Sequence, residues 1–365
     1  MPDIVASVEL LVTESTNVPA AASPATPRRA APTSHRPRRP ATAVIAGLLV
    51  VGAVLNGVAL AAAPPAGPPP EVVSAVTLYF ATEDGRYLVP VSRRIPEAEL
   101  SPARAVDELL AGPRAGPELR PTFAAGPLSA AFTLTGERAR VELPAGALSG
   151  VDPARAIAAL VLTVTDFRTI ESVEVWVGGQ PVGADGAVVR EPVALGRPAV
   201  NPESPEASAG GVELYFAHGT VDRYLVPVTR ALPPDRLGPE AALTELLAGP
   251  RAESGLERPV PPDVRLLGAR MEGGLAIGDF DDRLSDAFIL AGDGAEFIRT
   301  AIIATLTALP GVEGGAIEIN GLRRHHYAGR AVVPETPQAR SWVVNDEQYL
   351  TAIEAAGSDR GSTVP

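Results

Sequence analysis

Asp279, Asp281 and Asp282 form the densest acidic cluster in the chain. Carboxylates so close together could hold a cation or serve a hydrolase. A calcium loop, however, needs oxygen ligands at alternating positions, a glycine at its sharp turn and a bidentate acid further on. The run Asp279-Phe280-Asp281-Asp282 does not follow that pattern, and it reads as a solvated strand end. His325 and His326 resemble a ligand pair. Neighbours on a strand point to opposite faces, so one metal could not readily take both. The other histidines are His35 and His218, and none has a Ser and an Asp beside it in a nucleophile motif. Gly292-Asp293-Gly294 lacks a phosphate-binding pattern and reads as a loop. The chain has no Cys, which excludes disulfides, thiolate metal sites and cysteine nucleophiles. It has no Lys either, so a Schiff-base or P-loop lysine is impossible. No cofactor or metal is expected, and no catalytic residue is assigned. Three aromatic residues remain as candidates for an interface. Trp176 falls on the outward side of a strand between Val175 and Val177, and Tyr79 and Tyr215 lie opposite the apolar rows of theirs. Each either makes contact with a partner or packs under a neighbouring segment.

The elements that carry these residues occur twice. Glu108-Leu109-Leu110-Ala111-Gly112-Pro113-Arg114-Ala115 recurs as Glu245-Leu246-Leu247-Ala248-Gly249-Pro250-Arg251-Ala252. Leu78-Tyr79-Phe80-Ala81 recurs as Leu214-Tyr215-Phe216-Ala217, and Tyr87-Leu88-Val89-Pro90-Val91 as Tyr224-Leu225-Val226-Pro227-Val228. Three blocks in one order, twice, mean a duplicated domain. At the position of the acidic cluster the first copy has Glu142, Leu143, Pro144 and Ala145, so only one acid recurs. Opposite Trp176 the second copy has Glu318.

Within each copy the pattern is strand, turn, extended segment, helix, strand pair, longer helix and closing strand. Val76, Leu78 and Phe80 alternate as in a half-buried strand. Ser101 and Pro102 open a helix with Val106, Leu109 and Leu110 on its buried face, and Gly112-Pro113 stops it. Segments 128–134 and 138–143 form one strand pair, 264–271 and 274–280 the other. Asp152 caps the longer helix, whose stripe is Ile157, Leu160, Val161 and Val164; Ile298, Ile302, Leu306 and Leu309 are its counterparts. Aligning Thr163 with Thr305 leaves extra residues in the second copy, expected as a loop within 285–295.

Residues 1–40 read as a disordered cytoplasmic arm ending in Arg28, Arg29, Arg36, Arg38 and Arg39. Residues 41–63 carry no charge. At about 1.5 Å per residue they span the roughly 30 Å of a bilayer core. The preceding arginines place the N-terminus in the cytoplasm and the remainder outside. The segment is either a transmembrane anchor or a signal sequence, and cleavage near Ala63 would make the protein secreted. Residues 64–75 are a Pro-rich spacer, 76–200 the first domain, 201–211 a linker, 212–334 the second domain and 335–365 a tail. Composition extends the linker-like stretch back to 184. The tail is expected to carry one short helix near 345–356 and then to fray. A net charge of −12 makes a poor nucleic-acid binder.

These repeats resemble the GerMN domain, the sporulation and spore germination domain of bacterial envelope proteins. The resemblance rests on the Leu-Tyr-Phe strand, Tyr-Leu-Val-Pro-Val, the helix ending Glu-Leu-Leu-Ala-Gly-Pro, and a Thr-bearing second helix. A last strand running into Gly178-Gly179 or Asn320-Gly321 and the exit Arg197-Pro198-Ala199-Val200-Asn201-Pro202 complete it. It implies an α+β fold: two tandem two-layer α/β domains, helices packed on a small mixed sheet, similar to ring-building motifs. It also implies an exported, membrane-attached protein that is not an enzyme. The sporulation member of the family is a lipoprotein with two such domains. This chain lacks the lipid-accepting cysteine, so attachment here would rest on 41–63. The reading is a non-enzymatic envelope protein, in which the tandem domains mediate assembly with an envelope protein partner. Self-association is left open. The alternative is a binding module for a small ligand or cell-wall glycan in a groove between the copies.

Overall fold

The computed structural model describes residues 73–114, 119–219 and 224–323, and within 326–347 the pairs 326–327, 330–331 and 338–339 and the segment 344–347. The arm, the apolar segment 41–63 and the tail beyond 347 lie outside them. Among the described residues no helix is long and apolar enough to cross a membrane.

The first copy opens with an antiparallel hairpin, β1 (Val73–Thr82) and β2 (Leu88–Pro96). Its turn is built by Asp84, whose carboxylate accepts from the Thr82 hydroxyl at 2.6 Å and the Arg86 amide at 2.9 Å. Helix α1 (Pro102–Leu110) follows, with the Ser101 hydroxyl accepting from the Arg104 amide at 3.1 Å. That cap and the proline at the first turn satisfy a helix start. A short strand, β3 (Leu119–Arg120), pairs with the free edge of β1. The mixed sheet comes next. β4 (Ala131–Thr135) and β5 (Arg138–Leu143) are antiparallel, α2 (Pro153–Thr165) crosses over, and β6 (Ser172–Val177) returns parallel to β5. β7 (Gln180–Val182) and β8 (Leu195–Gly196) both pair antiparallel with β6.

The second copy repeats the plan. β9 (Val212–His218) and β10 (Tyr224–Arg230) form the hairpin and α3 (Pro239–Ala248) is the first helix. β11 (Leu266–Glu272) and β12 (Leu275–Phe280) are antiparallel. Helices α4 (Asp282–Ala291) and α5 (Ala295–Thr307) cross to β13 (Gly314–Ile319), which is parallel to β12. β14 (His326–Tyr327) and β15 (Arg330–Ala331) form a small ribbon, and β16 (Gln338–Ala339) pairs with β13.

Helix α2 is buried on two sides. Ile157, Leu160, Val161 and Val164 join the main core with Val141, Val173 and Val175 of the sheet. Ala159 and Leu162 pack instead with Tyr79, Leu88 and Val200. Full burial of each such aliphatic side chain contributes about 1.5–3 kcal/mol. The main core runs through both copies, and their described residues belong to one compact unit.

Three expectations are corrected here. The extra residues of the second copy make a helix rather than a loop, because Leu284, Ala287 and Phe288 give α4 a buried face. The spacer ends earlier than 75, since β1 begins at Val73. The stretch 184–211 is not an empty linker: it contributes β8, the buried Val200 and the buried Ala207. In the tail, β16 closes a sheet and Glu347 is buried. The helix expected near 345–356 lies mostly outside the described residues.

Candidate functional site

The repeated motifs converge at the junction of the copies. β2 and β10 are edge strands, and their edges face one another there. Two asparagines bridge the edges. Asn201 Oδ1 accepts from the Leu88 amide at 2.8 Å, and its Nδ2 donates to the carbonyls of Leu88 and Pro227, both at 2.7 Å. Asn345 repeats this with the copies exchanged, accepting from the Leu225 amide and donating to the carbonyls of Leu225 and Pro90, each at 2.8 Å. Both adopt left-handed backbone, φ 44° and 56°, which asparagine tolerates better than most residues.

Two residues further on, each exit segment delivers a glutamate to a buried arginine. Glu203 meets Arg230, with Nε and Nη2 donating at 2.7 and 2.8 Å. Glu347 meets Arg93 in the same fork, at 2.6 and 2.7 Å. The rest of each guanidinium is spent on the repeated helix end. Arg93 donates to the Glu108 carbonyl and carboxylate and to the Gly112 carbonyl. Arg230 does the same with Glu245 and Gly249. All five N–H groups of each arginine are thereby used. Val200 packs with Leu88 in the first copy, and Val344 with Leu225 in the second. The backbones add Pro202 beside Thr229 and Asp346 beside Ser92. Contacts that map onto each other when the copies are exchanged are those of an isologous, two-fold interface. The linker and the tail are thus one element used twice: it closes its own sheet as β8 or β16, then latches the junction.

Charges at the junction are matched. Burial opposes the charge on Arg93, but Glu347 and Glu108 outweigh it and hold its pKa above the ordinary value. Burial raises the Glu203 carboxyl, and Arg230 with Arg251 outweighs that and holds it below its usual 4.5. The Gly-Pro stop does two jobs. Gly249 sits at φ 86°, ψ 178°, a region open to glycine. Its carbonyl is also a ligand of Arg230.

Tyr79 and Tyr215 are packed, 2% and 8% exposed. The Tyr79 hydroxyl accepts from Arg197 at 2.9 Å, and the Tyr215 hydroxyl donates to Glu213 at 2.6 Å. Burial pushes both phenols above their ordinary range. Beside the Asn201 and Glu203 latch lies a groove of about 560 Å³, with Arg86, Tyr87, Asp152, Arg155 and Ala158 from the first copy and Arg251 from the second. In the second copy the counterpart of Arg155 is Phe297, which packs against the Tyr215 and Leu225 cluster.

A family model described as sporulation and spore germination, named Germane, matches residues 77–183 and 213–324, more than half of the chain. The chain belongs to this family. Among solved structures, the tandem GerMN domains of the sporulation protein GerM from Bacillus subtilis match with a TM-score of 0.57 and 20% identity, over 74% of this chain and 99% of that one. At that identity the likeness is one of fold. The first GerMN domain of the same protein matches with a TM-score of 0.30 and 21% identity, over 36% of this chain and 99% of that one. No curated protein matches.

The other residues singled out from sequence stand apart from the GerMN junction. Asp279 accepts from the Gly321 amide, Asp281 from the Arg265 amide and Asp282 from the Asn320 side chain. Two of the carboxylates hold the Asn320-Gly321 turn and the third holds the segment before β11, and no group of metal-ligating side chains gathers among the described residues. His218 stacks on Tyr224 with centroids 5.0 Å apart. His325 is outside the described residues, and His326 is described only as backbone in β14. Trp176 is half-buried on the outer face of the first sheet, beside Glu142 and Pro181, with the Arg140 guanidinium 3.9 Å above its ring. On the matching face of the second sheet, Glu318 is held by Arg270 at 2.8 and 2.9 Å and lies 3.3 Å from Arg323. Ile277 and Ala316 beside it are buried.

Sequence reading missed the latch arginines and their glutamates. The signal was present as Val91-Ser92-Arg93 against Val228-Thr229-Arg230, and Val200-Asn201-Pro202-Glu203 against Val344-Asn345-Asp346-Glu347.

Proposed function

We propose that this protein is a non-enzymatic envelope protein whose latched GerMN tandem acts as one assembly module, held outside the membrane by residues 41–63. The partner is an envelope protein, and it docks on the outer face of the first sheet. The observation carrying this reading is the difference between two equivalent faces. The second is closed by the Glu318 ion pairs and buried apolar residues, whereas the first presents Trp176 under Arg140 with Ala131 and Thr133 exposed. Aromatic and arginine side chains are the groups that anchor interfaces. Trp176→Glu installs the residue that the second copy carries. It should abolish capture of the partner from solubilised membranes without moving the melting temperature. Capture that persists at the wild-type level would defeat the reading.

A second reading follows from the groove between the copies. Its volume falls in the range of small-ligand sites, and Arg155 and Ala158 leave it open where Phe297 packs in the second copy. Retention on purified cell wall, lost in Ala158→Phe, would favour a small-ligand or glycan module over assembly.

A further inference from the structure

The two latches are alike in chemistry but differ in how they are tethered. Val200–Glu203 is fixed on both sides, by β8 before it and β9 after it. Val344–Glu347 follows β16, the last strand among the described residues. Its receptor is built mostly from the first copy, with Leu225 of the second holding the Asn345 side chain. Arg93 takes the carboxylate, and the Arg114 amide donates to the same carboxylate at 2.8 Å. The Ser92 hydroxyl donates to the Val344 carbonyl at 3.0 Å, the Ser92 amide to the Asn345 carbonyl at 3.1 Å, and Arg94 to the Asp346 carboxylate at 2.6 Å. The Pro90 carbonyl accepts from the Asn345 side chain. Four consecutive residues therefore satisfy the receptor through backbone, amide and carboxylate groups, as a bound peptide would.

We propose that this face of the first copy is a peptide-binding site for segments of the form Val-Asn-Asp-Glu. The chain's own tail occupies it in cis, and the same segment of a second copy of the chain is its partner in trans. This deepens the assembly reading by naming one partner, yet peptide binding can be measured whether or not an envelope protein is ever captured. Charge sets the specificity: Arg93 and Arg94 select acids at the last two positions, the Arg114 amide adds a donor to the final carboxylate, and the Pro90 and Leu225 backbones select an amide that can both donate and accept. A tethered tail competes at high effective concentration, so trans binding to the intact chain is weak until the cis contact is loosened.

The test uses a fluorescently labelled synthetic peptide covering residues 338–352, titrated with the full chain. The Glu347→Ala chain should bind it at least about ten-fold more tightly than wild type, because its own tail no longer competes. The same peptide carrying Glu347→Ala should bind neither chain. If the Glu347→Ala chain loses its cooperative melt, the Asn345→Ala chain takes its place with the same expectation. Equal binding by wild type and a folded variant, or binding indifferent to the glutamate of the peptide, overturns the proposal. Either result leaves the Trp176 face untouched.

Discussion

Replacing Arg230 by lysine keeps the charge and removes the fork. Arg230 donates five hydrogen bonds, at 2.7 and 2.8 Å to Glu203, 2.9 Å to the Glu245 carboxylate, 3.4 Å to the Glu245 carbonyl and 3.2 Å to the Gly249 carbonyl. Its side chain and that of Glu203 are each 9% exposed, so solvent cannot replace what is lost. An ammonium offers three donors, and at least two bonds disappear. Charge-assisted bonds contribute about 1.5–3 kcal/mol each. The retained charge still neutralises Glu203 and Glu245, which keeps the loss near the lower bound, about 3 kcal/mol. For a unit of this size each kcal/mol shifts the melting temperature by about 2–4 °C, so Arg230→Lys should melt roughly 6–12 °C below wild type. The exposed Arg283 supplies the control, since Arg283→Lys should stay within about 0.5 kcal/mol. Melting followed by circular dichroism and urea unfolding both read the effect. An Arg230→Lys protein that melts with the control would mean that the fork contributes nothing and that the latch is decorative.

Acid should loosen the junction through Glu203. Its folded pKa is held below 4.5 by Arg230 and Arg251, so the unfolded chain takes the proton first as pH falls. The stability it contributes is complete at neutral pH and is lost below about pH 4.5; Glu203→Gln should flatten that part of the stability profile, and an unchanged slope would assign the acid sensitivity elsewhere. A Cβ at Gly249 would lie 2.7 Å from Arg258 Cζ at φ +86°, whereas at Gly112 the nearest atom is Pro121 Cβ at 3.5 Å. Gly249→Ala should therefore cost about 1–3 kcal/mol and more than Gly112→Ala, a ranking that urea titration of the two variants decides.

Much of the architecture was legible because apolar periodicity, caps and glycine turns record it. Ser101 and Asp152 do cap α1 and α2, and the two strand pairs fall where Gly136 and Gly273-Gly274 mark their turns. The junction left no such periodicity. Asn201 and Asn345 act by imitating backbone, and a segment held through hydrogen bonds has the composition of a loop. Arg93 and Arg230 follow the apolar runs of their strands, where a charge normally signals solvent, and only a partner distant in sequence makes their burial tolerable. Helix α4 was hidden by Gly292-Asp293-Gly294, although the spacing of Leu284, Ala287 and Phe288 is helical.

Two equivalent latches join the two copies into one body. Differential scanning calorimetry of the full chain tests this most directly. A single transition whose calorimetric enthalpy equals its van't Hoff enthalpy is the predicted result. Two separable transitions, or a calorimetric enthalpy about twice the van't Hoff value, would show independently melting domains and contradict it.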